Sequence, residues 1–443
     1  MKRNFYIGAT FVVALAALGI GSSVLSKRFA VQAAGATAPR FEVDPMWPKP
    51  LPNHWVIGNT IGVSVDSKDH IWIIHRQGSL EAMENYAIAD PPGGKRKRGA
   101  VESECCLPAP PVLEFDQEGN LLASWGGKDG DGYVWPDSNH GIFVDFKGNV
   151  WIGGNGRGTA PGAARGRGAA NGAVAALADE AASAAGRPPA STYYHDSMVI
   201  KFTQEGKFLM QIGKAGASKG SNDTDNLGLP AKISVDPKTN ELYVADGYGN
   251  KRVIVYDADT GKFKRYWGAY GNKPDDANLG PYDPNAPVAK QFRNPVHCAE
   301  LSNDGFVYVC DRVNDRIQVF TPDGKFVKEQ ILYKNTLGDG AVWDIAFSKD
   351  AAQKYIYLAD GANEKVHILD RQSLEVLTSF GDGGRQPGLF YAVHSIATDS
   401  KGNIFTTETY RGQRVQKFVY KGVGPVVKTD QGVTWPKTAR SPL

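Results

Sequence analysis

The stretch HCAELSNDGFVYVCDR, residues 297–312, decides the fold, because its pattern recurs along the chain. It contains an alternating apolar strand, a polar turn, and a second strand that carries an aromatic residue. Alternation with a period of two, broken by turn residues, is typical of a β-hairpin. Five other segments align with it, namely IGVSVDSKDHIWIIHR from Ile61, HGIFVDFKGNVWIGGN from His140, AKISVDPKTNELYVADG from Ala231, WDIAFSKDAAQKYIYLADG from Trp343 and HSIATDSKGNIFTTET from His394.

A second hairpin follows each of the first five repeats, as in VLEFDQEGNLLASWG from Val112. Six units of four strands predict an all-β fold, a six-bladed β-propeller with four-stranded antiparallel blades, which leaves only short, protected sheet edges. The last unit shows only a third strand, VQKFVY. We expect RFEVDP, at residues 40–45, to supply the missing outer strand and close the ring.

The N-terminal residues have the composition of a targeting segment. Lys2 and Arg3 precede an apolar stretch from Tyr6 to Leu25, and small residues follow, which is the layout of a secretory signal. The apolar stretch is long for a signal, so an uncleaved membrane anchor is the alternative. We therefore expect residues 1–36 to be a signal peptide or anchor, and the protein to be periplasmic or secreted. Membrane contact would be limited to that anchor.

The predicted propeller covers residues 37–425, and residues 426–443 form a C-terminal tail. Antiparallel order places the connections after the second and fourth strands of every blade on one face. These connections are long, whereas those on the opposite face are tight turns. Long loops on one rim of a rigid scaffold usually carry function. One of them holds a low-complexity insertion rich in glycine and alanine, residues 156–190.

Two pairs of cysteines bear on the redox state of the chain. Cys298 and Cys310 flank the turn SNDG symmetrically, so they face each other on an antiparallel hairpin. At a non-hydrogen-bonded pair they are close enough for a disulfide, which export would permit. Two buried free thiols are the alternative. The sequence does not indicate the state of the vicinal pair Cys105 and Cys106.

The first residue of each repeat carries the strongest chemical signal. In chain order these residues are Ile61, His140, Ala231, His297, Trp343 and His394. Three of the eight histidines thus fall in blades two, four and six. Alternate blades of a six-fold ring are about 120° apart, so we expect the three imidazoles to converge on the axis. Three nitrogen ligands with an open position are typical of catalytic zinc, and three structurally satisfied histidines are the alternative.

The ends of the second strands place three further side chains, Arg76, Arg312 and Tyr248, on the same rim. A guanidinium beside a metal channel normally holds an anion, and its planar fork suits a carboxylate. A tyrosine near a dication and arginines should have a lowered phenol pKa, which would let it act as a base. Ion pairs of the arginines with blade carboxylates such as Asp311, and a strand-capping role for Tyr248, are the alternatives.

At these residues the chain resembles a known family. The segments DGYGNKRVIVYDADTGKF, NPVHCAELSNDGFVYVCDRVNDRIQVF and FYAVHSIATDSKGN are similar to the NHL-repeat lyase, peptidyl-α-hydroxyglycine α-amidating lyase. Its members cleave a peptidyl-α-hydroxyglycine to a peptide amide and glyoxylate. The resemblance covers roughly residues 40–420. It implies zinc on His140, His297 and His394, Tyr248 as catalytic base, and Arg76 and Arg312 as substrate-binding or catalytic arginines.

Two features depart from the family. The family has a calcium site with an acidic residue just after its last zinc-binding histidine, where this chain has Ser395, so calcium is not expected. We expect no copper monooxygenase domain beside the propeller to make the hydroxyglycine. The resemblance therefore implies a zinc-dependent C–N lyase whose substrate is a peptide or small molecule with a carboxylate.

Other functions stay open. A six-bladed hydrolase of the lactonase type usually holds its metal with carboxylates and amides, which three histidines do not match. A non-enzymatic NHL propeller would bind a protein or glycan on its long-loop face. Nucleic acid is excluded as the main partner, because 50 basic and 47 acidic residues leave a net charge of only +3.

Overall fold

The computed structural model of the chain describes residues 35–91, 99–156, 194–432 and 435–436. Residues 1–34 of the predicted signal peptide or anchor lie outside the described residues. The glycine- and alanine-rich insertion also lies outside them from residue 157 onward. The described parts of the chain are almost entirely strands and turns. Their helices are too short and too polar to cross a lipid bilayer.

The strands of the first half are β1 (Thr37–Asp44), β2 (Trp55–Val56), β3 (Asn59–Val65), β4 (Ile71–Arg76), β5 (Leu107–Pro108), β6 (Val112–Phe115), β7 (Leu121–Trp125), β8 (Asn139–Val144), β9 (Val150–Gly154), β10 (Met198–Phe202), β11 (Phe208–Gly213), β12 (Lys232–Val235) and β13 (Glu241–Asp246). Those of the second half are β14 (Arg252–Asp257), β15 (Phe263–Trp267), β16 (Val296–Leu301), β17 (Val307–Asp311), β18 (Arg316–Phe320), β19 (Phe326–Ile331), β20 (Asp344–Phe347), β21 (Tyr355–Asp360), β22 (Lys365–Asp370), β23 (Val376–Phe380), β24 (Val393–Thr398), β25 (Ile404–Glu408) and β26 (Arg414–Pro425). Four short described stretches are 3₁₀ helices, Gln77–Ser79, Ala82–Glu84, Ala269–Gly271 and Arg312–Asn314.

These strands form six four-stranded antiparallel sheets, which confirms the six-bladed propeller. Blade one has the order β3-β4-β6-β7, and blades two to five are β8 to β11, β12 to β15, β16 to β19 and β20 to β23. Blade six has the order β24-β25-β26-β1. Strands β2 and β5 pair in parallel within the long rim loops of blade one.

The ring closes through the first strand, as the sequence predicted. Strand β1 pairs antiparallel with β26, with Phe41 opposite Tyr420. The Phe41 side chain is buried, and its ring centroid lies 5.3 Å from that of Tyr357 and 5.5 Å from that of Phe380. Chain from the N-terminal end therefore fills the core between the last two blades.

The hydrophobic core lies between the blades. Each of six clusters of buried side chains joins two neighbouring blades, and one of them packs Phe405 of blade six against Ile71 of blade one. The aromatic residues that mark the repeats are all buried, namely Trp72, Trp151, Tyr243, Tyr308, Tyr357 and Phe405. Because apolar burial is the main stabilising term, these interfaces fix the ring and hence the positions of side chains on its axis.

Both cysteine pairs are bridged. Cys298 on β16 stands directly opposite Cys310 on β17, and the two form a buried disulfide. This confirms the facing positions that the symmetric turn predicted and decides against two free thiols. Cys105 and Cys106 form a vicinal disulfide in a rim loop of blade one.

Candidate metal centre

The inner strands of blades two, four and six bring three histidines together on the propeller axis. His140 lies on β8, His297 on β16 and His394 on β24, each at the second position of its strand. Their ring centroids are 4.8 to 5.1 Å apart, and one ring nitrogen from each lies within 4.8 Å of the others. All three side chains are buried.

A ring of backbone carbonyls fixes the tautomer of these histidines. The Nδ1 atom of His140 lies 2.7 Å from the carbonyl oxygen of Ala231. His297 makes the same contact with Trp343 at 2.5 Å, and His394 with Ile61 at 2.7 Å. A carbonyl oxygen only accepts hydrogen bonds, so each Nδ1 carries the proton and each Nε2 presents a lone pair. The three repeat-start positions that lack histidine thus supply the groups that orient the histidines.

A glycine permits one of these contacts. A Cβ atom at Gly141, the residue after His140, would lie 2.5 Å from the carbonyl oxygen of Ala231. Real side chains do not approach a carbonyl so closely, so only glycine lets the inner strands of blades two and three come this near. The sequence pattern gave no sign of this requirement.

The histidines are held neutral. Burial lowers the pKa of His140, His297 and His394 well below the ordinary histidine value, and the mutual repulsion of their charged forms lowers the pKa of His140 and His297 further. The positive charge of Arg312 lowers all three pKa values, and that of Arg76 lowers those of His140 and His394. Neutral imidazole is the form that binds a metal ion.

Tyr248 brings a phenol hydroxyl to the same centre. Its oxygen lies 2.9 Å from Nε2 of His140 and 3.0 Å from Nε2 of His297. Arg312 Nη1 donates to that oxygen at 3.3 Å. The single hydroxyl proton serves only one of the two imidazole lone pairs at a time. Tyr248 therefore points into the channel and does not simply cap a strand.

Arg312 is held by groups that the sequence did not single out. Its guanidinium carbon lies 4.6 Å from the ring centroid of Trp343, and its Nη2 lies 3.3 Å from Oδ1 of Asp339. The Tyr410 hydroxyl donates to the other oxygen of Asp339 at 2.9 Å. The alternative partner considered for the arginines, Asp311, instead binds Arg316 Nε at 2.7 Å.

Arg76 is buried among neutral groups. Its Nε donates to the carbonyl oxygen of Asn139 at 3.0 Å, and its Nη2 donates to Oδ1 of Asn155 at 2.8 Å. Within the described residues its Nη1 has no hydrogen-bond partner, and no carboxylate pairs with it. A buried charge without a counterion is costly, so this position suits an anionic ligand.

The donor set fits a metal ion. Three Nε2 lone pairs and the Tyr248 hydroxyl converge at this centre, and the hydroxyl supplies the one proton available to the three lone pairs. In the described part of the chain, Nε2 of His394 has no hydrogen-bond partner. Three neutral imidazoles with an open fourth position match zinc.

A second group of potential ligands, Asp66, His70 and Glu114, lies in blade one. There His70 Nδ1 already bonds Glu114 at 2.7 Å.

The sequence pattern pointed to the histidines, to Tyr248 and to the two arginines, but not to the polar groups that hold the arginines. Asn155 stands at the end of its repeat in the place that Arg76 and Arg312 occupy in theirs, which is a signal that could have been used. Asp339 lies in an irregular rim loop, where nothing in the sequence distinguishes it.

Comparisons with known proteins find relatives of two kinds. Peptidyl-glycine alpha-amidating monooxygenase of Mus musculus is 30% identical over 61% of this chain and 22% of its own length. The B form from Xenopus laevis is 25% identical over 46% of this chain and 23% of its own length. NHL repeat-containing protein 3 of Mus musculus is 24% identical over 86% of this chain and 84% of its own length. No family model matches the chain.

The chain spans less than a quarter of the length of the amidating enzymes that it matches. Its likeness to NHL repeat-containing protein 3 extends over most of both proteins. Together with the six sheets, these similarities show that the chain is a six-bladed β-propeller whose homologues are peptidylglycine alpha-amidating monooxygenase and NHL repeat-containing protein 3.

Proposed function

We propose that this chain is a zinc-dependent C–N lyase that cleaves a carbinolamide bearing a carboxylate, to give an amide and glyoxylate or a related product. The observation that carries the proposal is the meeting, in one buried channel, of three neutral imidazoles with the hydroxyl of Tyr248. Similarity to the amidating enzymes supports an enzymatic function for the propeller.

Zinc would be held by Nε2 of His140, His297 and His394, and when bound would supply Lewis acidity toward the oxygen atoms of the substrate. The carbonyl contacts at Nδ1 keep the three rings oriented before any ligand arrives. Such outer contacts raise the basicity of imidazole ligands and hold their geometry.

The arginines favour a substrate with a negative charge. Arg76 has no counterion among the described residues, and Asp339, which pairs with Arg312, also accepts a hydrogen bond from Tyr410. A carboxylate beside the reacting carbon would compensate the buried charge of Arg76, and its two oxygens match the planar guanidinium.

Tyr248 is the group placed to move the proton. In its phenolate form it would take the proton of the substrate hydroxyl, and Arg312 would stabilise the negative charge on the phenol oxygen. The hydroxyl oxygen then forms a C=O bond as the C–N bond breaks. The electron pair of that bond goes to nitrogen, which takes the proton back from Tyr248 and leaves as the amide.

A second candidate is a non-enzymatic NHL propeller that binds a protein or glycan on its long-loop face. The observation in its favour is the match to NHL repeat-containing protein 3 over most of both chains. A binding module of this kind has no need of a half-buried tyrosine shared between two neutral histidines. We therefore prefer the lyase.

We further propose that the folded part lies outside the cytoplasm, directed there by the N-terminal apolar segment. The disulfide between Cys298 and Cys310 supports this location, because such bonds persist in oxidising compartments.

The experiment is an assay of glyoxylate release from α-hydroxyhippurate. We expect turnover by zinc-loaded protein, loss of turnover after removal of zinc with a chelator, and recovery on adding zinc back. Protein that contains zinc but turns over no small carbinolamide would favour the binding module.

A further inference from the structure

A cluster of charged side chains around Lys232 lies in the channel, beside the histidine centre. Lys232 on β12 places its ammonium nitrogen 2.6 and 2.8 Å from the two carboxylate oxygens of Asp344 on β20. The same nitrogen lies 2.9 Å from Oε1 of Glu300 on β16. The three side chains are only 11%, 2% and 16% exposed. Three different blades thus meet at one ammonium group.

This group adjoins the histidines. One small cavity is lined by all three histidines and also by Lys232, Asp344 and Ser395. Ser395, the residue after His394, donates its hydroxyl to Asp344 Oδ2 at 2.7 Å, and the backbone nitrogen of Ile396 donates to the same oxygen at 3.0 Å. Asp344 therefore ties the start of β24, which carries His394, to the ammonium group.

The charges at this position need a cation. Asp344 and Glu300 are two carboxylates in a site that is nearly closed to water, and an uncompensated buried charge is strongly destabilising. Burial alone would lower the pKa of the Lys232 ammonium group, but the charges of Asp344 and Glu300 raise it above its ordinary value. Lys232 is therefore a permanent positive charge.

We propose that the Lys232 ammonium group is a cation built into the channel at a position where a divalent ion would otherwise be needed. It pairs with both Asp344 and Glu300 and, through Asp344 and Ser395, holds the strand that carries His394. The residues present here therefore do not fit the calcium ion that members of the resembled family bind. The proposal goes beyond the lyase function and does not depend on it.

The oxygen chemistry explains why lysine and calcium exclude each other here. Carboxylate oxygens are ligands that calcium takes, and Asp344 and Glu300 offer such oxygens around one point. An ammonium nitrogen 2.6 to 2.9 Å from the carboxylate oxygens occupies that point. Removing the lysine side chain should leave a site for calcium.

The test compares thermal unfolding of zinc-loaded proteins in calcium chloride, at about 10 mM, with unfolding in sodium chloride of equal ionic strength. This concentration exceeds the roughly 0.1–1 mM dissociation constants of weak calcium sites. We expect no calcium-dependent change in Tm for wild type. Lys232→Ala should have a lower Tm in sodium chloride and regain part of it in calcium, because a ligand that binds only the folded state stabilises it.

Two control variants separate charge from packing. Lys232→Arg keeps the positive charge and should show no calcium response. Lys232→Ala combined with Asp344→Asn removes a calcium ligand and should lose the response of the single variant. Zinc content and glyoxylate release are measured on the same samples, so that failure of the lyase proposal is distinguishable from failure of this one.

Either of two results would overturn the proposal. One is wild-type protein that keeps one calcium ion per chain after gel filtration. The other is folded Lys232→Ala whose Tm is the same as that of wild type in both salts. If Lys232→Ala folds in neither salt, the calcium content of wild-type protein is the deciding measurement. Wild-type protein without calcium supports the proposal, and one calcium ion per chain contradicts it.

Discussion

The Tyr248 hydroxyl lies between the imidazoles of His140 and His297 and accepts a hydrogen bond from the Arg312 guanidinium. This arrangement suits a general base, because the guanidinium stabilises the negative charge of the phenolate. We expect Tyr248→Phe to keep its zinc and to lose about 10²- to 10⁴-fold in turnover, since that is the usual cost of removing one acid–base group. Glyoxylate release and zinc content are measured together. Tyr266→Phe, which changes a partly exposed tyrosine on β15, is the matched control. Equal turnover by Tyr248→Phe and wild type would remove tyrosine from the mechanism.

His75 makes stability depend on pH. Its Nδ1 accepts a hydrogen bond from the backbone nitrogen of Gly58, and its Nε2 lies 3.0 Å from the carbonyl oxygen of Pro110, so the neutral ring is fully satisfied. Burial lowers its pKa from 6.5 to about 4. The folded state therefore resists protonation that the unfolded state accepts. The contribution of His75 to the free energy of unfolding is fully present above pH 6.5 and is lost as the pH falls toward 4. The loss is on the order of 3 kcal/mol.

We expect the free energy of unfolding of wild type to fall more steeply between pH 6.5 and pH 4 than that of His75→Asn. Urea unfolding at several pH values measures both slopes. Because the other buried histidines also contribute, the variant should keep a smaller slope. Identical slopes would contradict the assignment to His75.

At the scale of the strand, the approach of blade two to blade three depends on Gly141. We expect Gly141→Ala to push the carbonyl of Ala231 away from His140 and to weaken zinc binding by about 10- to 100-fold, the usual effect of losing an outer contact to a metal ligand. Competition with a zinc-binding dye measures this affinity. Gly383→Ala is the control, since a Cβ atom there would have no neighbour closer than 3.9 Å. Unchanged affinity in Gly141→Ala would show that the contact does not orient His140.

The closing strand should also be essential for stability. Phe41 on β1 is 4% exposed and packs against two aromatic rings, whereas Phe263 on β15 is 40% exposed. We expect Phe41→Ala to cost about 3–5 kcal/mol of stability, as truncation of a buried phenylalanine does, and Phe263→Ala to cost much less. Thermal unfolding compares the two variants. Similar Tm values would mean that β1 does not close the ring in solution.

The strands and their order could be predicted from the sequence, because each repeat alternates apolar and polar residues around a tight turn. The turn position in each repeat also sets which residues of the two strands face each other. The same regularity placed His140, His297 and His394 on one axis. Supporting contacts could not be predicted, because they join blades that are far apart in sequence. Asp339 reaches Arg312 from a rim loop, and Lys232 reaches Asp344 across 112 residues.

At the scale of the whole molecule, the ring acts as a frame that directs side chains from alternate blades to one point. Six cores between neighbouring blades hold the frame. The carbonyls of the intervening blades orient the histidines, and Lys232 balances the carboxylates beside them. Histidines, carbonyls and lysine each depend on the closure of the ring, so the chemistry of the channel is a property of the whole propeller.

The central claim is that the three histidines hold one metal ion together, and zinc content measured by mass spectrometry tests it most directly. We expect about one zinc ion per chain in wild type, by the stoichiometry of a single three-nitrogen site, and almost none in His297→Ala. His70→Ala, which alters a second cluster of potential ligands found among the described residues of blade one, should keep its zinc. Zinc content that is the same in His297→Ala as in wild type would contradict the account.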